Sequence, residues 1–536
     1  MNDSKSKNSH LLRKMLAIAL LVVAFVLAAL VAAVPWLSPD KPGIAFLLCI
    51  MAGFLLIGRA LWRPRPRAFW LIVVAAVLLV PAVALSRAFG RIDMLAIVFH
   101  KEFGMQGATL AGLETPILQG VLCGVGLILI FLGFSSFGRW QARHFALAAL
   151  AVLAINPVIQ YLAVSQLRAT VPSDLARQLL QPSLVPVTPG DLQPDIVMIY
   201  MESTDRQFAD PAVWGDLYAP LNALAAEGMN FTRVGQIVGT SWSLAGLVAT
   251  NCAVPIVPRG ALYRANFEEI DEFMPAITCL GDILAARNYR SAFVVGGDLG
   301  YGGIDTFFRT HLIDDITGLR ELQAVYSPQE IAQSLIGWVQ DDQMVFDFAT
   351  RKLAYLQSQP QPYALLVETI GPHVDNGLLS RDCTDDGQAT FSRDMNRVLR
   401  CTIGETVAFI THTRAKQARL RPERPLAIVL MSDHLSMHPS PPAVAPEYDG
   451  FNTLIMLGAG AEPGLVVTKP GSMVDVMPTL LDWFGWAQDP VAAGLGRSLL
   501  GSAPTIVEQN GIDALDSMIA TDVDLANKVW APGIVP

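Results

Sequence analysis

Asp433 and His434 stand side by side at the end of an apolar run, Leu426-Ala-Ile-Val-Leu-Met431-Ser432. A second run, Ile196-Val-Met-Ile-Tyr-Met201, ends in Glu202. Each reads as a buried strand that stops at a metal-ligand type, and open α/β sheets place their chemistry at the carboxyl ends of strands. Two carboxylates and an imidazole can surround one divalent cation. The missing nucleophile is best supplied by Thr240 in Gly239-Thr-Ser-Trp-Ser243, with Ser241 and Ser243 as alternative hydroxyls. A cation-bound hydroxyl ionises more easily, and the cation also screens phosphoryl oxygens. A helix expected over about Leu244 to Thr250 would turn its free N–H groups toward a phosphate beside Thr240. His373, in Gly371-Pro-His-Val-Asp375, follows another apolar run and could touch that phosphate. Blander readings exist for each residue alone. Glu202 could cap a helix, Thr240 or Ser241 could be an N-cap, Asp433-His434 could be a satisfied ion pair, and His373 could simply pack. Carboxylate-rich ligation suits one divalent cation, Mn²⁺ first, with Zn²⁺ or Mg²⁺ as alternatives.

These residues need a scaffold, and the chain from about 194 onward supplies one. Runs 195–201, 291–295, 363–369, 426–431 and 453–457 read as strands, and segments 212–227, 276–288, 327–358, 393–420 and 473–485 as helices. Pro211 suits a first helical turn, and Asp282-Ile-Leu-Ala-Ala-Arg is amphipathic at helical spacing. Such alternation predicts an α/β domain with a mainly parallel central sheet covered on both faces.

The first third differs. The 536 residues are 52% hydrophobic and 16% charged, with a mean hydropathy of +0.42, more apolar than a soluble domain. The excess falls in five runs of near bilayer-spanning length, at about 15–34, 43–62, 69–86, 117–136 and 145–165. Lys5, Lys7, Arg13, Lys14, Arg59, Arg63, Arg65, Arg67, Arg139 and Arg143 lie on one set of flanks, whereas the alternate loops are of mixed sign. The positive-inside rule then puts the N-terminus in the cytoplasm and everything after about 166 on the outer face. A cleaved signal peptide is the simpler reading of the first run, but four more runs follow. The expected organisation is a five-helix membrane domain at 1–166 with an interfacial segment near 88–115, a Pro-punctuated linker at 167–193, a catalytic domain at 194–505, and a tail at 506–536 without a clear part in the chemistry. The net charge of −9 includes no basic tract, so nucleic acid is not an expected partner. Four of the six cysteines, Cys252, Cys279, Cys383 and Cys401, fall in the exported part. Local pairing, Cys252 with Cys279 and Cys383 with Cys401, closes the shortest loops in an oxidising compartment.

Taken in order, these residues resemble the alkaline-phosphatase-like (sulfatase-like) transferases anchored by five membrane spans. That group includes the lipoteichoic acid synthases, the lipid A phosphoethanolamine transferases and the phosphoglycerol transferases of osmoregulated periplasmic glucans. The last branch is the nearest on Met201-Glu-Ser-Thr-Asp-Arg206, Gly239-Thr240, Ala245-Gly246, Cys252 and Pro255, Cys279-Leu-Gly-Asp-Ile-Leu284, Ser432-Asp-His-Leu435 and Gly494-Leu-Gly-Arg-Ser498. The resemblance implies that Glu202, Thr240, Asp433 and His434 bind the metal, that Thr240 is the nucleophile, and that His373 holds the phosphoglycerol. It departs at Met201, where family members carry Gly, and around Gly302-Gly-Ile-Asp305, where a substrate-facing Arg is absent and Arg309 follows. Cys252-Ala-Val-Pro255 does not fit the Cys-x-Pro-x-Arg frame of a sulfate-ester hydrolase.

The resemblance further implies transfer of glycerophosphate from phosphatidylglycerol to a periplasmic glucan or related glycan, with release of diacylglycerol. The setting would be the bacterial inner membrane, with the catalytic domain in the periplasm. Two alternatives are phosphoethanolamine transfer to lipid A or another glycolipid, and a non-catalytic protein that binds lipid or glycan.

Overall fold

The computed structural model describes residues 67–89, 94–103, 114–136, 141–156, 158–160, 174–188, 192–258, 270–373, 376–436 and 450–532. The first two apolar runs and their flanking charges other than Arg67 lie outside these residues, as does Cys49. By its contacts the chain divides into two compact units, Met1–Ile92 with Leu110–Leu167, and Asp93–Thr109 with Arg168–Pro536.

In the first unit, helix α1 (Phe69–Phe89) packs against α3 (Glu114–Ser136) and α4 (Ala142–Ala154). The seam is apolar: Phe69, Ile72 and Ala75 meet Leu122, Leu129, Phe145 and Ala149. Opposite faces stay apolar and uncovered, with Trp70, Val74 and Val77 on α1 and Leu147 and Leu150 on α4 all more than half exposed. Taken over the described residues, no helix is long and apolar enough to cross a membrane. The intervening helix α2 (Met94–Phe103) groups with the second unit.

The second unit is built on an eight-stranded sheet. Its strands are β1 (Asp195–Met201), β2 (Met229–Phe231), β3 (Arg290–Val295), β4 (Asp315–Thr317), β5 (Tyr363–Glu368), β6 (Leu426–Ser432), β7 (Leu454–Gly458) and β8 (Leu465–Val467). Across the sheet they run β8-β2-β7-β6-β1-β5-β3-β4. The pairs joining β6, β1, β5, β3 and β4 are all parallel, and β7 is antiparallel to both β6 and β2. This is the mainly parallel α/β sheet expected from the pattern. Every residue of β1 and β5 is buried, as strands covered on both faces must be, and their sequences are accordingly continuous in hydrophobicity.

One face of the sheet presents Val197, Ile199, Leu365, Val367, Ile428 and Leu430 to α5 (Ala219–Ala226), α9 (Asp342–Gln357) and α10 (Met395–Leu420). The other is covered by α6 (Ser243–Cys252), α7 (Leu280–Ala286) and α11 (Val476–Trp483). The segment 327–358, which reads as one helix, is divided. A first helix ends at Ser334, a tight hairpin follows at Leu335–Ile336 and Val339–Gln340, and α9 starts afresh where the Asp341 side chain accepts from Met344 N at 2.9 Å. A carboxylate cap there satisfies a helix start that a through-running helix would not need.

Two disulfides, Cys252–Cys279 and Cys383–Cys401, close loops of 27 and 18 residues. The first ties the end of α6 to the start of α7, where Asp282 accepts from Cys279 N and contacts His311 Nδ1 at 3.0 Å. The tail folds onto the same unit: α12 (Ile512–Ile519) and α13 (Val523–Val529) bury Leu515, Ile519, Leu525 and Val529, and Trp530 donates to Val257 O.

Candidate active site

The register of the sheet builds the site. β1 and β6 pair in parallel with Met201 opposite Ser432, so Glu202 and Asp433 leave their strands level with each other. β5 pairs with β1 so that Tyr200 faces Glu368. Three strand ends therefore open at one edge, each closing on an acidic residue.

Glu202, Asp433 and His434 are all buried, and each offers a ligand atom within 4.8 Å of the others. The turn that holds them is strained: Ser203 adopts a left-handed φ of 51°, uncommon for a non-glycine residue. It donates its N–H to Asp433 Oδ1 at 2.9 Å and its hydroxyl to Glu202 Oε1 at 2.6 Å. Asp433 Oδ1 also accepts from His434 N at 2.8 Å. Thr369, just past β5, accepts from Glu202 N at 3.1 Å.

Whether this set fits a cation can be judged from its donors. His434 Nδ1 lies 2.8 Å from Leu435 O. A carbonyl only accepts, so Nδ1 carries a proton. In the neutral ring the lone pair is then on Nε2, which faces Asp433 Oδ2 at 3.2 Å and Glu202 Oε1 at 3.6 Å. Asp433 Oδ2 has no hydrogen-bond donor among the described residues. An imidazole lone pair and two carboxylates converging in a buried place could hold a cation, with the ring oriented by its second nitrogen. Burial pushes the Asp433 carboxyl up to about 7, Glu202 adds to the effect, and His434 opposes it. For His434, burial disfavours charge, but Asp433 and Glu202 outweigh it and raise the pKa.

Thr240 is fully buried, and its hydroxyl donates to Ile237 O at 2.7 Å, not to a member of this cluster. Its link to the cluster runs through α6. Ser243, at the first turn of that helix, donates to Glu202 Oε2 at 3.4 Å. Gly239 precedes Thr240 at φ 80°, and a Cβ there would meet Ile256 O at 2.5 Å, so glycine is required both by conformation and by space. The loop is braced from behind by the tail, where Asp516 accepts from Val238 N at 2.7 Å. His373 is seated differently, edge-on against Trp338 with ring centroids 5.4 Å apart. Its loop is clamped by Asp342, which accepts from Ile370 N at 2.7 Å and from Gly371 N at 3.0 Å. Arg309 is exposed on α8 (Ile304–Thr310).

Sequence reasoning overlooked Glu368. It is 3% exposed, and its Oε1 has no hydrogen-bond partner among the described residues. Burial raises its pKa well above the carboxylate range, and the charges of Asp433 and Glu202 raise it further. The signal was the same as for Glu202, an acid closing an apolar run, but it was hidden by reading the strand through Thr369. Asp342 and Asp516 carry no such signal, since they act through backbone groups far away in sequence.

Residues 194–486 match the sulfatase family. Phosphoglycerol transferase I of Shigella boydii serotype 18 is 29% identical over 407 residues, covering 73% of this chain and 51% of that protein. The chain thus spans about half the length of the curated relatives it matches. Among solved structures, the lipoteichoic acid synthase LtaP from Listeria monocytogenes is 13% identical, with 66% of this chain and 97% of that chain covered at a TM-score of 0.48. The integral membrane lipooligosaccharide phosphoethanolamine transferase A from Neisseria meningitidis is 15% identical, with 88% and 95% covered at a TM-score of 0.45. The matched segment takes in more than half of the residues, including all eight strands of the sheet and the acid–histidine cluster at its edge, and so the chain belongs to the sulfatase family.

Proposed function

We propose that this chain is a membrane-anchored phosphoglycerol transferase. It moves glycerophosphate from phosphatidylglycerol to a hydroxyl of a periplasmic glucan or related glycan and releases diacylglycerol. The observation that carries this reading is the buried Glu202, Asp433 and His434 cluster with the Thr240 loop and the start of α6 beside it. Glu202, Asp433 and His434 would hold one divalent cation with Thr240 as a further ligand, and the cation would ease ionisation of the hydroxyl and screen phosphoryl charge. Mn²⁺ is the first choice, ahead of Zn²⁺ and Mg²⁺.

In the first half-reaction Thr240 Oγ forms a bond to phosphorus, and the bond from phosphorus to the diacylglycerol oxygen breaks. That oxygen leaves with a proton, and Thr240 loses its own. In the second, the acceptor hydroxyl displaces Thr240 from phosphorus and the proton balance is reversed. The N–H groups opening α6 face the phosphate oxygens. His373, on its clamped loop, helps hold the phosphoglycerol. The names of the curated relatives favour glycerophosphate over phosphoethanolamine as the transferred group. The two disulfides suit an oxidising compartment outside the cytoplasm. The uncovered apolar faces of α1 and α4, together with the five apolar runs, support a membrane domain with the catalytic part in the periplasm.

The test is mass spectrometry of the Thr240 peptide after incubation with phosphatidylglycerol or, in parallel, phosphatidylethanolamine. A glycerophosphate adduct from the first lipid alone is expected, and Thr240→Ala should retain metal but release no diacylglycerol. Release at the wild-type rate by that variant rules the mechanism out.

A further inference from the structure

Helix α2 lies far upstream of Thr240 in sequence, between two apolar runs, yet it belongs to the catalytic unit. Leu95, Val98 and Phe99 are buried, at 2%, 4% and 0% exposure. Phe99 packs against Trp242 at 5.6 Å and Phe273 at 6.4 Å between ring centroids. The next residue, His100, is partly exposed and lies 5.9 Å from Trp242 and 5.7 Å from Tyr301.

Both neighbours belong to the site. Trp242 is the N-cap residue of α6, two positions after Thr240 and directly before the Ser243 that bonds Glu202. Tyr301 begins the turn whose Gly302 packs on Leu244 of the same helix. The Tyr301 hydroxyl is pushed up to about 12 by burial and then by the negative charges of Glu202 and Glu368. Among the described residues, no Lys or Arg forms an ion pair with Glu202, Glu368 or Asp433. An anionic phosphate ester entering this edge meets three acidic side chains, and His434, whose Nδ1 is taken by Leu435 O, has no proton to spare for it, so a side-chain donor would add to the N–H groups of α6.

We propose that α2 completes the donor pocket, with Phe99 fastening the helix to Trp242 and the His100 imidazole hydrogen-bonding the phosphate ester beside Thr240. This rests on the reading of Thr240 as the group that receives the phosphoryl unit. His100 is thereby a binding residue, contributed by the stretch between two apolar runs.

The experiment uses the metal-loaded full chain in detergent, comparing wild type with His100→Ala and His100→Gln. Calorimetry measures affinity for glycerol 1-phosphate, and kinetics with phosphatidylglycerol separates KM from kcat. Loss of one hydrogen bond to an anion should weaken glycerol 1-phosphate about tenfold in His100→Ala. KM should rise while kcat stays within about threefold, the signature of lost binding. His100→Gln, which still donates, should recover part of the affinity. Unchanged melting temperature and metal content mark the effect as a lost contact.

Wild-type affinity and KM in His100→Ala would overturn the assignment while leaving the transferase reading intact. So would failure of both variants to fold, which makes His100 a packing residue, or a wild type that binds no glycerol 1-phosphate. A wild type that leaves phosphatidylglycerol intact, yet binds glycerol 1-phosphate in a His100-dependent way, keeps His100 and removes the lipid donor.

Discussion

Replacing Gly246 by Ala should separate activity from stability. Gly246 lies in the first turn of α6, where the helix passes the end of β6. A Cβ there would sit 2.0 Å from the Asp433 carbonyl oxygen, 2.8 Å from its carbonyl carbon and 3.4 Å from its Cα. Real Cβ atoms essentially never approach closer than 3.0 Å, so α6 and the Asp433 backbone must part by about 1 Å. All three obstructing atoms are backbone, and no rotamer change relieves them. Overpacking of this kind costs about 1–3 kcal/mol, and the better helix propensity of Ala returns up to about 1 kcal/mol. The net loss of stability is then about 2 kcal/mol, within what a folded domain withstands. The catalytic consequence is larger, because the Ser243–Glu202 hydrogen bond is already 3.4 Å long and does not survive the shift. Displacing reacting groups by about 1 Å costs on the order of a hundredfold in rate. The assay is diacylglycerol release from phosphatidylglycerol, alongside urea unfolding. Gly404→Ala is the matched control: it makes the same change on α10, where a Cβ meets nothing within 4 Å, and should leave activity intact. If Gly246→Ala keeps activity within about threefold of wild type, the argument that α6 and Asp433 are held in register by backbone contact is wrong.

Three further outcomes follow from the same geometry. Chelation should lower the melting temperature of the wild type, since a ligand at a hundred times its Kd adds about 2.7 kcal/mol to the folded state; Asp433→Asn should abolish that sensitivity, and a wild type indifferent to chelation argues against the cation cradle. Burial pushes the Asp475 carboxyl up to about 7, against the opposing N–H groups of Arg497 and Ser472. The folded state thus keeps a proton that the unfolded chain gives up near pH 4, so this group favours folding most at about pH 4 and below, and its contribution declines toward pH 7. Asp475→Asn should flatten that part of the pH dependence in urea melts at pH 5 and pH 8, and an unchanged slope would show the group to be ionised throughout. Arg421 is paired with the fully buried Asp195 at 2.7 Å, and Arg421→Ala leaves it with the more distant Arg424 at 3.7 Å and the Gln417 amide; a loss of about 3 kcal/mol, the low end for a broken buried pair, is expected in chemical unfolding, and a loss under about 1 kcal/mol would mean that Arg424 takes over or that Asp195 is protonated or reached by water.

Some of this molecule is visible in its residues alone. The apolar runs before Glu202 and Asp433 read as strands because a strand buried on both faces has no polar position to interrupt it. The short strands β2, β4 and β8, three residues each, have no such signature. They are strands because neighbours offer them hydrogen-bonding edges: β7 to β2, β2 in turn to β8, and β3 to β4. The break at Ser334 did carry a local signal, Gly337 at φ 60° between the β-branched Ile336 and Val339, which a helix running through 327–358 passes over.

The chain by itself determined which chemical groups end its strands: an acid after β1, an acid and an imidazole after β6, and a hydroxyl in a glycine-led turn before a helix. Local sequence suffices for that, because residue type and periodicity are local properties. Only the tertiary structure decided that Met201 lies opposite Ser432, that β5 adds Glu368 beside them, and that α2 and the tail reach the Thr240 loop. Those facts depend on strand order and register between remote segments, which are set by how whole faces pack together and not by the propensities of any one of them.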